Sequence, residues 1–275
     1  MPEAPANSLR RALALLDALA SDEARAQGGW GVNRLSAHLG RDASQISRTL
    51  RVLAETGYVE RDPDSLRYRI GWHVFALAAR AVDKRLLDAA RPIIRRLAGA
   101  DLGERIHLTV RSGPDVLTIL TEGPTARSVQ AMGWVGRLVP AWNTASGRAL
   151  VIDLGKDELA DLLSTASFSG GGPNAPNDVA DLHARIVVAR RIGYVTVEDE
   201  FEDGLSGAAA PIRDVHGRVV AALNVSGPTF RLRERLTLAG KTVQAAANEL
   251  SAHLGWEGQV GTEIGPARVV PGKLA

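Results

Sequence analysis

The sequence predicts an α+β protein in which a helical N-terminal quarter precedes a larger part built on a mainly antiparallel sheet. Three observations support this fold class. Apolar residues recur at helical spacing as far as Gly57, the apolar period changes to two from Arg105 onward, and short turns join later strands into hairpins. We therefore expect a small helical domain followed by a domain that contains a sheet.

The first two helices are expected at residues 8–20 and 33–39. Leu9, Leu13 and Leu16 form an apolar stripe in the first segment, which Ser8 can cap. Gly40 follows the second segment, as is typical of a helix end. The pattern thus predicts two short amphipathic helices ahead of residue 41.

A third helix is expected to begin after Asp42, which can cap its N-terminus, with Gln45 at the capping-box position. Ile46, Leu50 and Leu53 share one face of this helix. The polar residues that cluster on the opposite face are Ser44, Gln45, Ser47, Arg48 and Arg51. One face should therefore pack while the other stays free.

Beyond the third helix the pattern predicts a β-hairpin. Gly57 can end the helix, residues 62–65 (DPDS) form a turn, and residues 66–70 return as a strand. This hairpin carries Arg61, Arg67 and Arg69. Three helices and a hairpin wing make a winged helix-turn-helix, whose last helix enters the major groove of double-stranded DNA.

Arginine, glutamine and serine can read base edges or bind phosphates. We expect Ser44, Gln45, Ser47 and Arg48 to face the groove and the other candidates to contact mainly phosphates. The candidate DNA-binding residues are Arg41, Ser44, Gln45, Ser47, Arg48, Arg51, Arg67 and Arg69. The alternative is that these side chains form an ordinary solvated helix face.

Composition limits the function without deciding it. The 275 residues carry a net charge of only +2, and the segment 41–69 holds six arginines against five acidic residues, so any DNA-binding charge is local. The chain has no cysteine, no apolar signal segment at its N-terminus and no apolar run long enough to cross a membrane. We expect a soluble cytoplasmic protein without a membrane partner.

The remainder divides into further segments. A connecting helix is expected at residues 72–90, with Val74, Leu77, Ala78 and Ala81 on one face suited to pairing with a second subunit or to packing on its own domain. Proline at position 92 predicts an interruption there and a new helix at 92–98. The predicted domains are 8–71, the linker 72–91, the larger domain 92–254 and a disordered tail 255–275.

Strands and helices are expected to alternate in groups along the larger domain. The predicted strands are 105–110, 116–120, 128–132, 194–200, 205–212 and 219–226. The predicted helices are 144–154, 156–164, 177–191 and 231–254.

Seven blocks occur in an order that resembles the IclR family of bacterial transcription regulators over about residues 8–254. They read SLRRALALLDALA, ISRTLRVLAETGYVERD, YRIGWHV, AARPIIRRLA with GERIHLTV, VGRLVPAWNTASGRAL, RRIGYVTVEDEFEDGLSGAAAPIRD and GRVVAALNVSGP. The resemblance implies an N-terminal winged helix, a linker helix and a C-terminal effector domain of PAS/GAF-like shape. It also implies a homodimer, or a dimer of dimers, whose affinity for operator DNA responds to a small molecule.

The resemblance also implies where an effector would bind. Family members hold small acids near the turn that here spans 143–148, on two strands that here span 194–198 and 205–208, and at Asn224 and Ser226. The turn before the helix at Thr144 would offer backbone N–H groups to a carboxylate. The candidate effector residues are Ser128, Ala131, Trp134, Trp142, Asn143, Ala145, Ser146, Val197, Gly207, Asn224 and Ser226.

Two departures from the family pattern change the expected ligand. Val197 stands where members that bind small keto acids commonly have an acidic residue, and Gly207 stands where a cysteine is frequent. A roomier, more apolar pocket favours a larger, partly hydrophobic guest, such as an aromatic acid or its amide or hydrazide, over a small keto acid. Trp134 and Trp142 would stack on that guest or, equally, belong to the core or a subunit interface.

The alternative class is an enzyme, or a ligand-binding protein, on a GAF-like domain without operator binding. The segment 204–208 (GLSGA) only approaches a nucleophile elbow, and the six histidines are scattered, without a metal-protease pair. We therefore expect no catalytic residue, no metal ligand and no cofactor, and a repressor rather than an enzyme.

Overall fold

Residues 5–81, 84–124 and 135–258 are described by a computed structural model of the chain. They belong to two compact units, Met1–Asp83 and Lys84–Ala275, so the boundary lies inside the segment 72–91 predicted as the linker. The predicted strand 128–132, the candidates Ser128, Ala131 and Trp134, and positions 259–275 of the predicted disordered tail lie outside the described residues.

The first unit contains the predicted three helices and wing. Its elements are α1 (Pro5–Ala20), α2 (Asp22–Ala26), α3 (Val32–Leu39), α4 (Ala43–Glu55), β1 (Val59–Arg61), β2 (Tyr68–Ile70) and α5 (Trp72–Ala81). Strands β1 and β2 pair antiparallel, and Gly40 closes α3 in the left-handed conformation with φ 60°. The short helix α2 and a backbone bridge between Trp30 and Tyr68 are additions that the pattern did not predict.

The buried side of α1 differs from the predicted stripe. Leu9 and Leu13 are 64% and 52% exposed, whereas Leu15 and Leu19 are buried in a cluster with Leu35 and other residues of the unit. Both pairs lie at helical spacing, and the second pair faces the apolar surface that α3 and α4 provide. Of the three leucines in the predicted apolar stripe, Leu16 packs against this cluster, whereas Leu9 and Leu13 are exposed.

The second unit is built on a six-stranded antiparallel sheet with the strand order β5-β4-β3-β8-β7-β6. The strands are β3 (Arg105–Ser112), β4 (Asp115–Glu122), β5 (Leu138–Pro140), β6 (Val195–Glu198), β7 (Leu205–Arg213) and β8 (Val219–Pro228). The helices are α6 (Lys84–Arg96), continued by a π-helical turn at Leu97–Asp101, then α7 (Ala145–Leu150), α8 (Lys156–Leu162), α9 (Val179–Ile192), α10 (Thr229–Leu232) and α11 (Leu236–His253). The predicted α+β class is confirmed, and β5 is a strand that the pattern missed.

The sheet is covered on both faces. Alternate residues such as Ile106, Leu108 and Leu223 pack against α6 and α11, while Ala209 and Ala222 belong to the cluster around α7, α8 and α9. Because successive side chains of a strand point to opposite faces, each strand contributes to both layers. The second face is the one on which the candidate effector residues meet.

Two helix boundaries differ from the predictions. Pro92 lies inside α6 and does not start a new helix. A proline in a helix interior costs about 3 kcal/mol, but Ile93 and Ile94 are buried, and full burial of such a side chain contributes about 1.5–3 kcal/mol. Burial of this face therefore outweighs the proline. The predicted helix 231–254 is divided by a 3-10 turn at Arg233–Arg235.

No helix in residues 5–81, 84–124 or 135–258 combines the length and the apolar character needed to cross a membrane.

Candidate functional site

The helix α4 presents the two faces that the sequence predicts. Ile46, Leu50 and Leu53 are buried, while Arg48 and Arg51 are exposed. The Asp42 carboxylate accepts hydrogen bonds from the backbone N–H of Ser44 at 2.9 Å and of Gln45 at 3.1 Å, as expected of the predicted cap. The Ser44 hydroxyl, followed by the Gln45 N–H, holds the pKa of the Asp42 carboxyl below its ordinary value.

The wing arginines are engaged with their own domain. Arg67 donates to the Gln27 carbonyl, and Arg69 donates to the Glu60 carboxylate at 3.0 Å and 3.1 Å. Leu66 takes a left-handed conformation with φ 57°, so the returning strand begins only at Tyr68. Arg41, Arg48 and Arg51 are exposed. The surface combines an exposed helix face with an arginine-bearing hairpin, the arrangement that winged helices use on DNA.

In the second unit, a cavity of about 50 Å³ lies between the sheet and α7. Six candidate effector residues line it: Ala145, Ser146, Val197, Gly207, Asn224 and Ser226. Strand pairing brings them together, because Val197 and Gly207 are partners across β6 and β7, and Gly207 and Ser226 are partners across β7 and β8. The Cβ that any other residue would add at Gly207 would lie 2.8 Å from the Val225 carbonyl oxygen.

Nine of the fifteen lining residues were not among the named candidates, although Thr144, Leu205 and Ser206 lie in the ranges 143–148 and 205–208 that the resemblance implied. The polar residues among the nine are His107, Thr109, Thr118, Thr144 and Ser206. The apolar ones are Val116, Val139, Phe201 and Leu205. The alternation of Ile106 and Leu108 with His107 and Thr109 does place the last two on one face of β3, but only the pairing of His107 with Asn224 across β8 shows which face that is.

Two candidates lie outside the cavity lining. Trp142 is 3% exposed and packs in the core, with its ring centroid 4.9 Å from that of Phe168. Asn143 is buried, and its Oδ1 has no hydrogen-bond partner among the described residues. Of the two interpretations of Trp142, its position here is that of a core residue.

The helix α7 is short, and its own cap occupies part of its N-terminus. The Thr144 hydroxyl accepts a hydrogen bond from the Gly147 N–H at 3.1 Å and donates to the Pro140 carbonyl at 2.9 Å. With only six residues, α7 offers a smaller dipole than a long helix. One of the backbone N–H groups that were expected to bind a carboxylate is thus already bound by the Thr144 side chain.

His107 joins two hydroxyl groups at the base of the cavity. Its Nε2 lies 3.0 Å from Ser226 Oγ, and its Nδ1 lies 2.9 Å from Thr121 Oγ1. Burial lowers the pKa of the imidazole to about 3, and the positive charge of Arg105 acts in the same direction. The ring is therefore neutral at physiological pH.

A second hydroxyl chain leaves the cavity through Ser206. Ser206 Oγ lies 2.8 Å from Thr229 Oγ1, which donates to the Asp199 carboxylate at 2.6 Å. Asp199 also accepts from the Gly204 N–H at 3.0 Å and has a left-handed φ of 54°. This chain ties β7 to the start of α10.

A buried ion pair links α7 to the rest of the unit. Arg148, 3% exposed, donates through both terminal nitrogens to Glu200, which is 5% exposed, and Arg185 lies 3.3 Å from the same carboxylate. Arg185 also donates to Asp181 at 2.9 Å, and this hydrogen bond holds the pKa of the Asp181 carboxyl below its ordinary value. The network joins α7 to the loop after β6 and to α9.

Comparison with protein families matches residues 79–252 to the bacterial transcriptional regulator IclR C-terminal domain and residues 8–63 to the IclR helix-turn-helix domain. This chain belongs to the IclR family. It is a DNA-binding transcription regulator, and the family predicted from the seven sequence blocks is confirmed.

Characterised relatives agree with this membership. The HTH-type transcriptional repressor AllR of Escherichia coli K12 is 29% identical over 252 residues, which are 91% of both chains. AllR of Salmonella typhimurium is also 29% identical over 252 residues, 91% of this chain and 90% of its own. These IclR-family relatives are regulators, which supports the prediction that this chain is not an enzyme.

Solved structures share the fold. An IclR regulator from Silicibacter sp. TM1040 superposes with a TM-score of 0.74 at 25% identity, covering 90% of this chain and 96% of its own. An IclR homolog from Microbacterium hydrocarbonoxydans, complexed with 4-hydroxybenzoate, superposes with a TM-score of 0.76 at 24% identity, covering 90% of this chain and 98% of its own.

One packing contact of α7 in this IclR-family protein predicts a measurable effect. A Cβ at Gly147 would overlap the backbone of Ala141, which cannot swing aside as a side chain can. We expect Gly147→Ala to lower the free energy of unfolding by about 1–3 kcal/mol, as overpacking of a close contact does.

Denaturant unfolding of the full chain measures this change. The matched control is Gly155→Ala, because its Cβ would meet only Glu158 Oε2 at an ordinary 3.5 Å. Equal stability of the two variants would show that α7 can shift away from Ala141.

Proposed function

We propose that this IclR-family regulator is a repressor. Its affinity for operator DNA is lowered when a small, partly hydrophobic organic molecule binds in the cavity beside α7. The observation that carries the proposal is the lining, which combines Val116, Val139, Val197, Phe201 and Leu205 with a few hydroxyl and amide groups. Pockets of this composition bind small organic molecules, with the polar groups fixing their orientation. The E. coli relative AllR, a repressor, supports the direction of control.

An aromatic acid or its amide is the proposed effector class. The M. hydrocarbonoxydans homolog, which has the same fold, binds 4-hydroxybenzoate. A cavity of about 50 Å³ is smaller than the ~150 Å³ that benzene occupies in an engineered apolar cavity, so an aromatic guest has to open it. A guest that binds only an opened form would change DNA affinity, because an effector acts through unequal affinity for two states.

The small cavity volume favours a second candidate, a small keto acid. Operator retardation and tryptophan fluorescence, measured on the full chain with benzoate, benzamide and pyruvate, separate the two. Release of DNA by the aromatic compounds alone supports the first effector class. Release by pyruvate alone would replace it with the second.

The DNA-reading role assigned to α4 predicts a loss of specificity on changing Arg48. Because Arg48 is exposed on the face opposite Leu50, we expect Arg48→Ala to weaken binding to the native promoter fragment by about 1–3 kcal/mol, with a smaller loss on scrambled DNA. Fluorescence anisotropy at fixed salt measures both affinities.

Arg51→Ala is the comparison variant, expected to weaken both fragments alike because the side chain is assigned to phosphates. An equal loss on both fragments for Arg48→Ala would reduce Arg48 to a phosphate contact. Arg41, Ser44, Gln45 and Ser47 remain proposed DNA contacts on the same surface.

A homodimer, or a dimer of dimers, is proposed as the form that binds DNA. Trp72, Phe75 and Leu77 on α5 are 73%, 64% and 43% exposed, which is unusual for large apolar side chains in a row. Of the predicted stripe, Val74 is half-buried, whereas the side chains of Ala78 and Ala81 are outside the description. Sedimentation equilibrium of the chain against a Phe75→Glu variant tests the assembly; a monomer in both cases would refute it.

A further inference from the structure

The cavity beside α7 is lined by uncharged groups. Among the described residues that line it there is no Lys, Arg, Asp or Glu, and its single titratable side chain is His107. Burial keeps that imidazole neutral, with a pKa of about 3. A carboxylate entering this space would find no cation to replace the water it leaves, and burial of an unpaired charge is strongly unfavourable.

Two charged clusters close to the lining are balanced internally. Arg148 is bound to Glu200, which also lies 3.3 Å from Arg185. Asp199 accepts hydrogen bonds from Thr229 and Gly204, and the Arg233 guanidinium lies 3.5 Å from its other oxygen. An anionic guest would therefore have to displace an internal carboxylate in order to pair with Arg148, Arg185 or Arg233.

The hydroxyl chain at Ser206 has a defined direction. A carboxylate can only accept hydrogen bonds, so the Thr229 hydroxyl donates its hydrogen bond to Asp199 at 2.6 Å. Thr229 Oγ1 then serves as the acceptor for Ser206, at 2.8 Å, and the Ser206 proton points away from the cavity. Ser206 can therefore act towards a guest as a hydrogen-bond acceptor.

Asn224 supplies a second acceptor. It lines the cavity, and its Oδ1 is buried without a hydrogen-bond partner among the described residues. A buried acceptor left unsatisfied costs free energy, and a guest N–H or O–H would recover it. The lining thus offers a guest two identified acceptors, Ser206 and Asn224, and no charged side chain among its described residues.

We propose that the cavity selects an uncharged guest whose polar end donates hydrogen bonds, such as a primary carboxamide, and discriminates against the carboxylate of the same shape. The inference rests on the proposed effector role of this cavity. It narrows that role, because a carboxylic acid then binds as its protonated form.

Isosteric pairs test the charge requirement separately from size. The probes are benzamide with benzoate and propionamide with propionate, titrated into the full chain by isothermal calorimetry. At about pH 7.5 we expect each amide to bind at least ~10-fold more tightly than its acid. Acid binding should fall ~10-fold per pH unit above the carboxyl pKa of about 4, while amide binding stays constant. His107 does not titrate in this range because its pKa is about 3.

The hydroxyl chain is tested by a matched pair of variants. Thr229→Val removes the group that accepts the Ser206 proton, and Thr229→Ser keeps it. We expect Thr229→Val to reduce the amide-to-acid affinity ratio by about 2- to 10-fold, because one hydrogen bond is lost. Thr229→Ser should leave the ratio unchanged. Thr242→Val, which removes an exposed hydroxyl that donates to Leu238, controls for loss of a hydroxyl as such.

The outcomes distinguish this inference from the proposed function. An acid that binds as tightly as its amide, or with no pH dependence, overturns the selection of uncharged guests and leaves an effector cavity in place. Binding of neither member of either pair contradicts both proposals. An unchanged ratio in a folded Thr229→Val overturns the role of the Ser206 chain.

Discussion

Replacing Arg148 with methionine is expected to lower the free energy of unfolding of the second unit by roughly 3 kcal/mol. The change leaves the buried Glu200 carboxylate without its main partner, and breaking a buried pair on one side costs about 3–5 kcal/mol. The lower end applies because Arg185 still lies 3.3 Å from Glu200. Calorimetric or denaturant unfolding of the full chain measures the loss.

The double variant Arg148→Met with Glu200→Gln is the decisive control. Because it removes both charges, it should recover most of the lost stability, whereas independent contributions would simply add. Lys84→Ala breaks a pair whose side chains are 88% and 60% exposed, and we expect at most about 1 kcal/mol there. If Arg148→Met lowers the free energy of unfolding no more than Lys84→Ala does, the buried pair contributes nothing to stability.

Acid is expected to destabilise the protein through His107. The imidazole pKa is about 3 in the folded chain against an ordinary 6.5, so the unfolded chain binds the extra proton first. This contribution to stability is complete above about pH 6.5 and is lost at ~1.4 kcal/mol per pH unit as the pH falls toward the folded pKa. Between about pH 6.5 and pH 4.5 the loss should be roughly 3 kcal/mol.

His107→Gln isolates this effect from the carboxylates, which titrate in the same range. Glutamine cannot take up the proton, and its side chain can still reach the Ser226 hydroxyl that His107 contacts at 3.0 Å. We expect the wild-type chain to lose roughly 3 kcal/mol more than the variant between these pH values. Parallel stability profiles for the two proteins would contradict a buried neutral histidine.

The helix α4 could be predicted because its pattern is local and unambiguous. Ile46, Leu50 and Leu53 lie there at helical spacing. Asp42 marks the start of the helix because its side chain accepts hydrogen bonds from the first backbone N–H groups. In α1 the same reasoning met two overlapping leucine stripes, and the choice between them depends on α3 and α4. Pro92 shows the same limit, because burial of Ile93 and Ile94 decides against a local signal.

The cavity was predictable only in part. The family resemblance indicated Ala145, Ser146, Asn224 and Ser226, which do line it. His107 was missed because its role depends on strand pairing and on Ser226, which is 119 residues away. Ser206 lies in the implied strand 205–208, but its bond to Thr229, 23 residues away, could not be predicted. The sequence allows Trp142 either to stack on a guest or to belong to the core or an interface, and its packing on Phe168 places it in the core.

The alternation of side chains along β7 and β8 has a consequence for how such regulators diverge. Ala208 and Leu223 secure the layer under α6 and α11, while their sequence neighbours Gly207 and Asn224 touch the cavity. Gly207 itself has little room for a side chain, but exchanges at Asn224 leave the first layer intact, since the two sets point to opposite sides. A lineage can thus acquire responsiveness to a new metabolite through a handful of exchanges, with little penalty in thermal robustness.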